Sequence, residues 1–288
     1  MIRCREIGVA DLAPIAELLS SGFPGRSRDY WMGGLRRQAT RDVPEGYPRF
    51  GYMLDHEGAP VGVLLLIYSA RKEEGETAIR CNLSSWYVEP AFRNYASMLT
   101  KIAQRHKDVT YVNVSPASWT WRIIEAQGFR AYCSGLFVSF PALSRPAPGM
   151  AIEIVSRHVR ELEGLSASET ALLARHAASG CLSLVCRTAD GRVFPFILQP
   201  MRIRRGQLAP PAMQLIYCDD VADFITCAGA LGRFLLWRGK IAVVLDANQR
   251  MDEIAGFYTE ARGRKYFKGP CCPRLGDLSD TELVIYGP

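Results

Sequence analysis

The sequence predicts an α/β protein of two successive units. Three observations predict it. At 288 residues the chain is long for one compact core and comfortable for two. Short apolar runs of strand character alternate with stretches whose apolar residues recur every three or four positions, the spacing of an amphipathic helix. This order runs once through residues 1–141, halts at the Pro-rich stretch PALSRPAPG, and resumes through residues 151–288, so residues 142–150 read as a linker.

Composition narrows the function classes. Hydrophobic residues make up 48% and charged residues 22%, as in ordinary globular proteins. The net charge of +6 is spread over both halves and forms no basic stripe with interleaved aromatics. Nucleic acid is therefore not an expected partner, whereas an anionic small ligand suits the balance. The nine cysteines sit mostly in apolar runs such as CLSLVC and LIYC, which reads as reduced, buried thiols and a cytoplasmic location. No C-x-x-C pair occurs, and Cys271 and Cys272 lack the partners of a zinc site, so no metal is expected. The opening MIRCREIGVADL has no apolar signal core, and no apolar stretch is long enough to span a membrane.

In chain order, Ile2 to Ile7 reads as a strand, and Asp11 opens a helix carrying Leu12, Ile15, Leu18 and Leu19. A second helix, Asp29 to Thr40, sets Tyr30, Trp31 and Leu35 among arginines; its aromatics either line an entrance or pack on the sheet. Phe50–Leu54 and Pro60–Tyr68 flank the turn Asp55-His56-Glu57-Gly58, a hairpin signal. Ile79 to Val88 is a fourth strand, interrupted at Cys81-Asn82 and Ser84-Ser85. Its last apolar run, Trp86 to Val88, ends at Pro90, and from Phe92 the apolar residues take helical spacing through Ala103. Where a strand feeds a helix this abruptly, the first helical N–H groups lack partners and favour phosphate oxygens. Asp108 to Val114 is a further strand; SPASWTWRIIEAQGFRAY is a helix with Gly128 as its C-cap, and Leu136 to Phe140 is a strand that closes the first unit.

These residues resemble the GNAT superfamily of N-acetyltransferases, whose turn after the fourth strand reads R/Q-x-x-G-x-G/A and holds the CoA pyrophosphate on backbone amides. Arg93 takes the first position of that turn, Ala96 stands where the first Gly is usual, and Met98 where Gly or Ala is usual. The resemblance implies two tandem GNAT-like units, each a mixed, mostly antiparallel twisted sheet flanked by helices, with Arg93, Asn94, Tyr95, Ala96 and Ser97 at the pyrophosphate of acetyl-CoA or another acyl-CoA. It also implies a bulged fourth strand whose free edge pairs with pantetheine along Ser85, Trp86, Tyr87 and Val88. The superfamily's Tyr-Glu-x-x-Gly-Phe signature is matched by Glu125, Gly128 and Phe129. Its Tyr, which protonates the departing thiolate in many members, is replaced by Ile124, and Ile has no proton to donate. Another hydroxyl (Ser115, Tyr111 or Tyr132) or water would then serve, or this half does not catalyse.

The order repeats beyond the linker. Ile152–Val155 is strand-like, Leu162–Ala178 helical, and Cys181–Arg187 with Val193–Ile203 forms a hairpin across Asp190-Gly191. Met213–Cys218 and Ile241–Leu245 read as strands about an amphipathic helix from Val221 to Leu236. Met251–Arg262 reads as a helix, Gly263–Gly269 echoes Gly128–Gly135, and Glu282–Tyr286 reads as a last strand. The second copy lacks the phosphate turn, since Asp219-Asp220 would repel a phosphate and Asp220 with Asp223 reads first as a helix cap.

The resemblance implies an acyl-CoA-dependent N-acyltransferase acting on a small-molecule or peptide amine. Ser115 or Tyr132 is the candidate acid and Glu89 or Asp219 the candidate base; a surface or capping role explains each as well. Two other readings stay open: a catalytically inactive regulatory or scaffold tandem GNAT, and a Fem-like aminoacyl transferase, although those chains are commonly longer and carry a helical arm. The acceptor, the acyl length and the oligomeric state leave no signal in the sequence.

Overall fold

A computed structural model describes residues 1–73, 76–202 and 211–287. The first half holds β1 (Ile2–Glu6), α1 (Leu12–Gly22), α2 (Arg28–Ala39), β2 (Gly51–His56), β3 (Ala59–Glu73), β4 (Glu76–Val88), α3 (Ala96–Ala103), β5 (Thr110–Asn113), α4 (Trp121–Ala126) and β6 (Arg130–Cys133). Then follow β7 (Gly135–Ser139), β8 (Ala151–Ile154), α5 (Ala167–Ala178), β9 (Leu182–Arg187), β10 (Val193–Arg202), β11 (Pro211–Tyr217) and α6 (Val221–Leu236). The chain finishes with β12 (Ala242–Ala247), β13 (Gly256–Thr259), β14 (Lys265–Lys268) and α7 (Glu282–Ile285). Ile203, at the end of the hairpin strand expected from Val193, lies outside the described residues.

The strands form two seven-stranded mixed sheets, ordered β1-β2-β3-β4-β5-β14-β6 and β13-β7-β12-β11-β10-β9-β8. Their parallel pairs are β4 with β5 and β11 with β12. Both sheets thus follow one strand order, and each takes its penultimate strand from the other half of the sequence. Two compact units result: Met1–Arg130 with Tyr266–Cys272 and Asp280–Pro288, and Ala131–Lys265 with Pro273–Ser279.

The first sheet has a core on each face. One is built from Leu54, Leu66, Tyr68, Leu83, Val88, Leu99, Tyr111, Ile124 and Tyr266. The other joins α1 and α2 to Met53, Val63, Leu65, Ile285 and Tyr286. The second unit's main core sets Phe137, Phe196, Leu215 and Val243 against Phe224, Leu231 and Leu235 of α6.

Three expectations are corrected. Leu136–Phe140 does not close the first sheet, because β7 pairs with β12 and β13 in the second. Phe137 and Val138, on opposite faces of β7, are both buried, which requires a central strand covered on both sides. Met251–Arg262 contains β13 rather than a helix; Gly256 interrupts the helical spacing, and Phe257 and Tyr258 favour the strand. Glu282–Tyr286 is not a strand: it turns into the short helix α7, whose first N–H groups, from Val284 and Ile285, donate to the Thr281 carbonyl.

Candidate functional site

The first unit is parted where β4 and β5 separate. The two strands pair only at Arg80–Thr110, Cys81–Tyr111 and Asn82–Val112. Just beyond, the register of β3 shifts from Leu66–Leu83 to Leu64–Trp86, so β4 carries one extra residue across Ser84-Ser85. This is a β-bulge, which leaves backbone groups unpaired and re-aims side chains beside a site. The interruption read at Ser84-Ser85 is this bulge.

A cavity of about 230 Å³ fills the split. Ser84, Ser85 and Trp86 line it from β4, Thr100 from α3 and Gln104 just after it, Asn113 and Ser115 from the end of β5, and Ile124 from α4. The indole Nε1 of Trp86 is buried with no hydrogen-bond partner among the described residues. A buried donor left unpaired costs about 1–3 kcal/mol.

Glu282 lines the same cavity from α7. Its carboxylate accepts from the Ser84 hydroxyl at 2.6 Å and the Ser115 hydroxyl at 2.5 Å. Its backbone N–H donates to Asn82 Oδ1 at 2.7 Å. The Asn82 amide nitrogen in turn donates to the carbonyls of Leu83 and Val112, tying both strands at the point where they part. Burial raises the Glu282 pKa above the ordinary carboxylate range, opposed by the hydroxyl bonds from Ser115 and Ser84. The sequence reading missed Glu282, Ser84 and Asn82. The signal available was Ser279-Asp280-Thr281 directly before Glu282, a cluster of capping residues that marks a helix start.

Of the expected pantetheine residues, Trp86 lines the cavity, Tyr87 faces the opposite side of the sheet against Gly22 and Phe23, and Val88 is buried in the core. The expected pyrophosphate turn is a 3₁₀ helix, Pro90–Tyr95, running straight into α3. Arg93, Asn94, Tyr95 and Ser97 are exposed and Ala96 is half-buried. No residue of this turn has positive φ, so the side chains of Ala96 and Met98 are carried without backbone strain. The Ala96 N–H bonds to the Arg93 carbonyl, which occupies an amide at the head of α3.

Among the candidate acids and bases, Ser115 lines the cavity and Ile124 is buried in its wall. Glu89 precedes the 3₁₀ turn, its N–H bonded to the Val61 carbonyl. Tyr132 lies on β6 in the second unit, its carbonyl accepting from Asn248. Asp219 is also in the second unit; it accepts from the Tyr217 hydroxyl at 2.6 Å, and burial raises its pKa. Asp220 caps α6 through the Ala222 N–H, in a capping box with Asp223. Among the described residues no group of three or more His, Cys, Asp or Glu side chains could hold a metal, and no helix is long and apolar enough to cross a membrane.

No protein-family model matches the sequence, and no curated protein matches it. Solved structures do. A GCN5-related N-acetyltransferase from Anabaena variabilis aligns with a TM-score of 0.56 at 12% identity over 93% of this chain and 72% of its own. One from Kribbella flavida gives a TM-score of 0.56 at 12% identity over 93% and 70%. A conserved protein from Enterococcus faecalis gives 0.56 at 11% identity over 97% and 74%. The chain therefore has the fold of the GCN5-related N-acetyltransferases.

Proposed function

We propose that this protein is an acyl-CoA-dependent N-acyltransferase, with acetyl-CoA the simplest donor and a small-molecule or peptide amine the acceptor. The observation that carries the reading is the β4 bulge beside the split from β5, facing a cavity that Trp86 lines. A thioester laid along β4 meets backbone groups freed by the bulge, and a strand N–H aimed at its carbonyl oxygen would stabilise the charge that develops there. At about 230 Å³ the cavity suits the reacting end of such a donor, since whole-ligand pockets run to roughly 300–1,000 Å³. The remainder of the donor would lie outside, along the exposed 3₁₀ turn.

With the Ala96 amide already bonded within the turn, the pyrophosphate would be held chiefly by side chains, with Arg93 supplying the charge and Asn94, Tyr95 and Ser97 the polar surroundings. Trp86 would wall the pantetheine end, and Tyr87 and Val88 would hold that stretch of β4 in place by their packing. Ile124 leaves the wall without a phenol, and Ser115 is the cavity's exposed hydroxyl suited to pass a proton to the departing thiolate. The two halves of the reaction are thereby brought to one place, the main contribution such a site makes.

Calorimetric titration with acetyl-CoA tests this reading. Micromolar binding by the wild-type chain, weakened at least tenfold in Arg93→Glu, is the expected result. No binding by the wild-type chain would refute it.

A further inference from the structure

We propose that Glu282 is the acceptor-binding base of this site: its carboxylate holds the incoming amine as an ammonium and takes its proton, which selects amines with no anionic group beside the nitrogen. This rests on the N-acyltransferase reading above and adds the residue and the acceptor class to it.

Glu282 is half-buried, lines the cavity, and has no cation within salt-bridge distance among the described residues. Its two partners are neutral hydroxyls. A desolvated carboxylate without a counter-charge is costly, and a cationic ligand supplies the missing charge. The cavity wall contains no Lys, Arg or His. An acceptor bearing a carboxylate or phosphate next to its amine would therefore meet Glu282 with nothing to offset the repulsion.

The carboxylate is also held in place. Asn82 fixes the start of α7, and at its other end Tyr286 is buried against Gly34 with its hydroxyl on Gln38 Oε1 at 2.6 Å. Among the described residues, the phenols of Tyr30 on α2 and Tyr286 lie close enough for the Glu282 charge to raise their pKa values. Arg37 on α2 donates to the Ile285 carbonyl instead.

The ammonium gives one proton to Glu282, and the freed lone pair forms the N–C bond at the thioester carbonyl. The C–S bond breaks with its electron pair on sulfur; the Ser115 hydroxyl gives its proton to the thiolate and takes the second nitrogen-bound proton in return. An amide and a free thiol leave, and Glu282 returns its proton to solvent past the exposed Ser115.

The test is calorimetric titration of phenethylamine, benzylamine and L-phenylalanine into the full chain in the presence of free CoA, for wild type, Glu282→Gln and Glu282→Asp. The expected result is that at least one of the two simple amines binds wild type ten times more tightly than L-phenylalanine. Glu282→Gln should lose at least tenfold in that affinity and Glu282→Asp should recover part of it, with an unchanged urea-denaturation midpoint in both as the check on folding. Equal amine binding by wild type and Glu282→Gln, equal binding of L-phenylalanine, or no amine binding by wild type would each overturn the proposal. Failure to bind acetyl-CoA would instead sink the N-acyltransferase reading, and the amine titrations alone would decide the role of Glu282.

Discussion

Replacing Gly34 by alanine should move a carboxylate without touching it. A methyl group at position 34 of α2 would lie 1.9 and 2.2 Å from two ring carbons of Tyr286. Ordinary contact begins near 3.4 Å, so the ring has to move by well over an ångström. Tyr286 is 4% exposed, packs on Trp31 with ring centroids 5.7 Å apart, and bonds to Gln38. Expelling it forfeits about 1.5–3 kcal/mol of burial and about 1 kcal/mol of hydrogen bond. Against this, alanine is a better helix former than glycine by about 1 kcal/mol. The net loss of about 2 kcal/mol falls on the docking of α7 and raises its undocked population roughly 30-fold. Hydrogen exchange of the amides from 282 to 286 should quicken by about that factor, and acyl transfer should fall while acetyl-CoA binding persists. If Gly34→Ala were more stable than wild type and its α7 equally protected, helix propensity would outweigh the clash and the docking argument would be wrong.

Other perturbations test separate parts of the structure. Trp86→Phe removes the unpartnered indole N–H; if a bound donor uses it, acetyl-CoA affinity should fall about fivefold, the worth of one hydrogen bond. Unchanged affinity would show that the N–H does not face the ligand. Arg5 bonds Asp11 at 2.7 Å and Asp55 at 2.8 Å, and these bonds hold both carboxyls below their ordinary range. The stability they confer is present above about pH 4 and is lost as pH falls through the lowered values. Arg5→Met should flatten that acid limb in urea melts, by under about 1 kcal/mol per pair because Arg5 is partly exposed. In the second unit, Lys265 and Asp246 form an ion pair at 2.7 Å with side chains only 3% and 2% exposed. Lys265→Met should destabilise by about 3–5 kcal/mol, and adding Asp246→Leu should recover most of it; a single variant with an unchanged denaturation midpoint would contradict the pairing.

How much of this was legible in the sequence depended on whether the information was local. The strands Phe50–Leu54 and Pro60–Tyr68, the passage from Trp86 into the α3 helix, and the cap at Asp220 were readable because spacing and turn residues encode them. The interruption at Ser84-Ser85 was visible as a break in apolar character, although its bulge depends on the register with Leu64 and Leu66. The partner of a strand is not local information. Leu136–Phe140 reads as a good strand, and nothing within it states that its neighbours are β12 and β13. Glu282 escaped notice for the same reason. It lies 198 residues from Ser84 and 167 from Ser115, and Leu283 to Tyr286 is as apolar as a strand.

The insertion of β14 beside β5 also bears on how the molecule is made. When a ribosome has released residue 141, the first sheet still lacks Lys265–Lys268, and the split between β4 and β5 still lacks Glu282. The nascent first half must wait through well over a hundred further residues with Tyr111 and Val112 unpaired on one edge. Exposed strand edges invite association with other chains, so this interval is where synthesis of the protein is most open to aggregation and to chaperone capture.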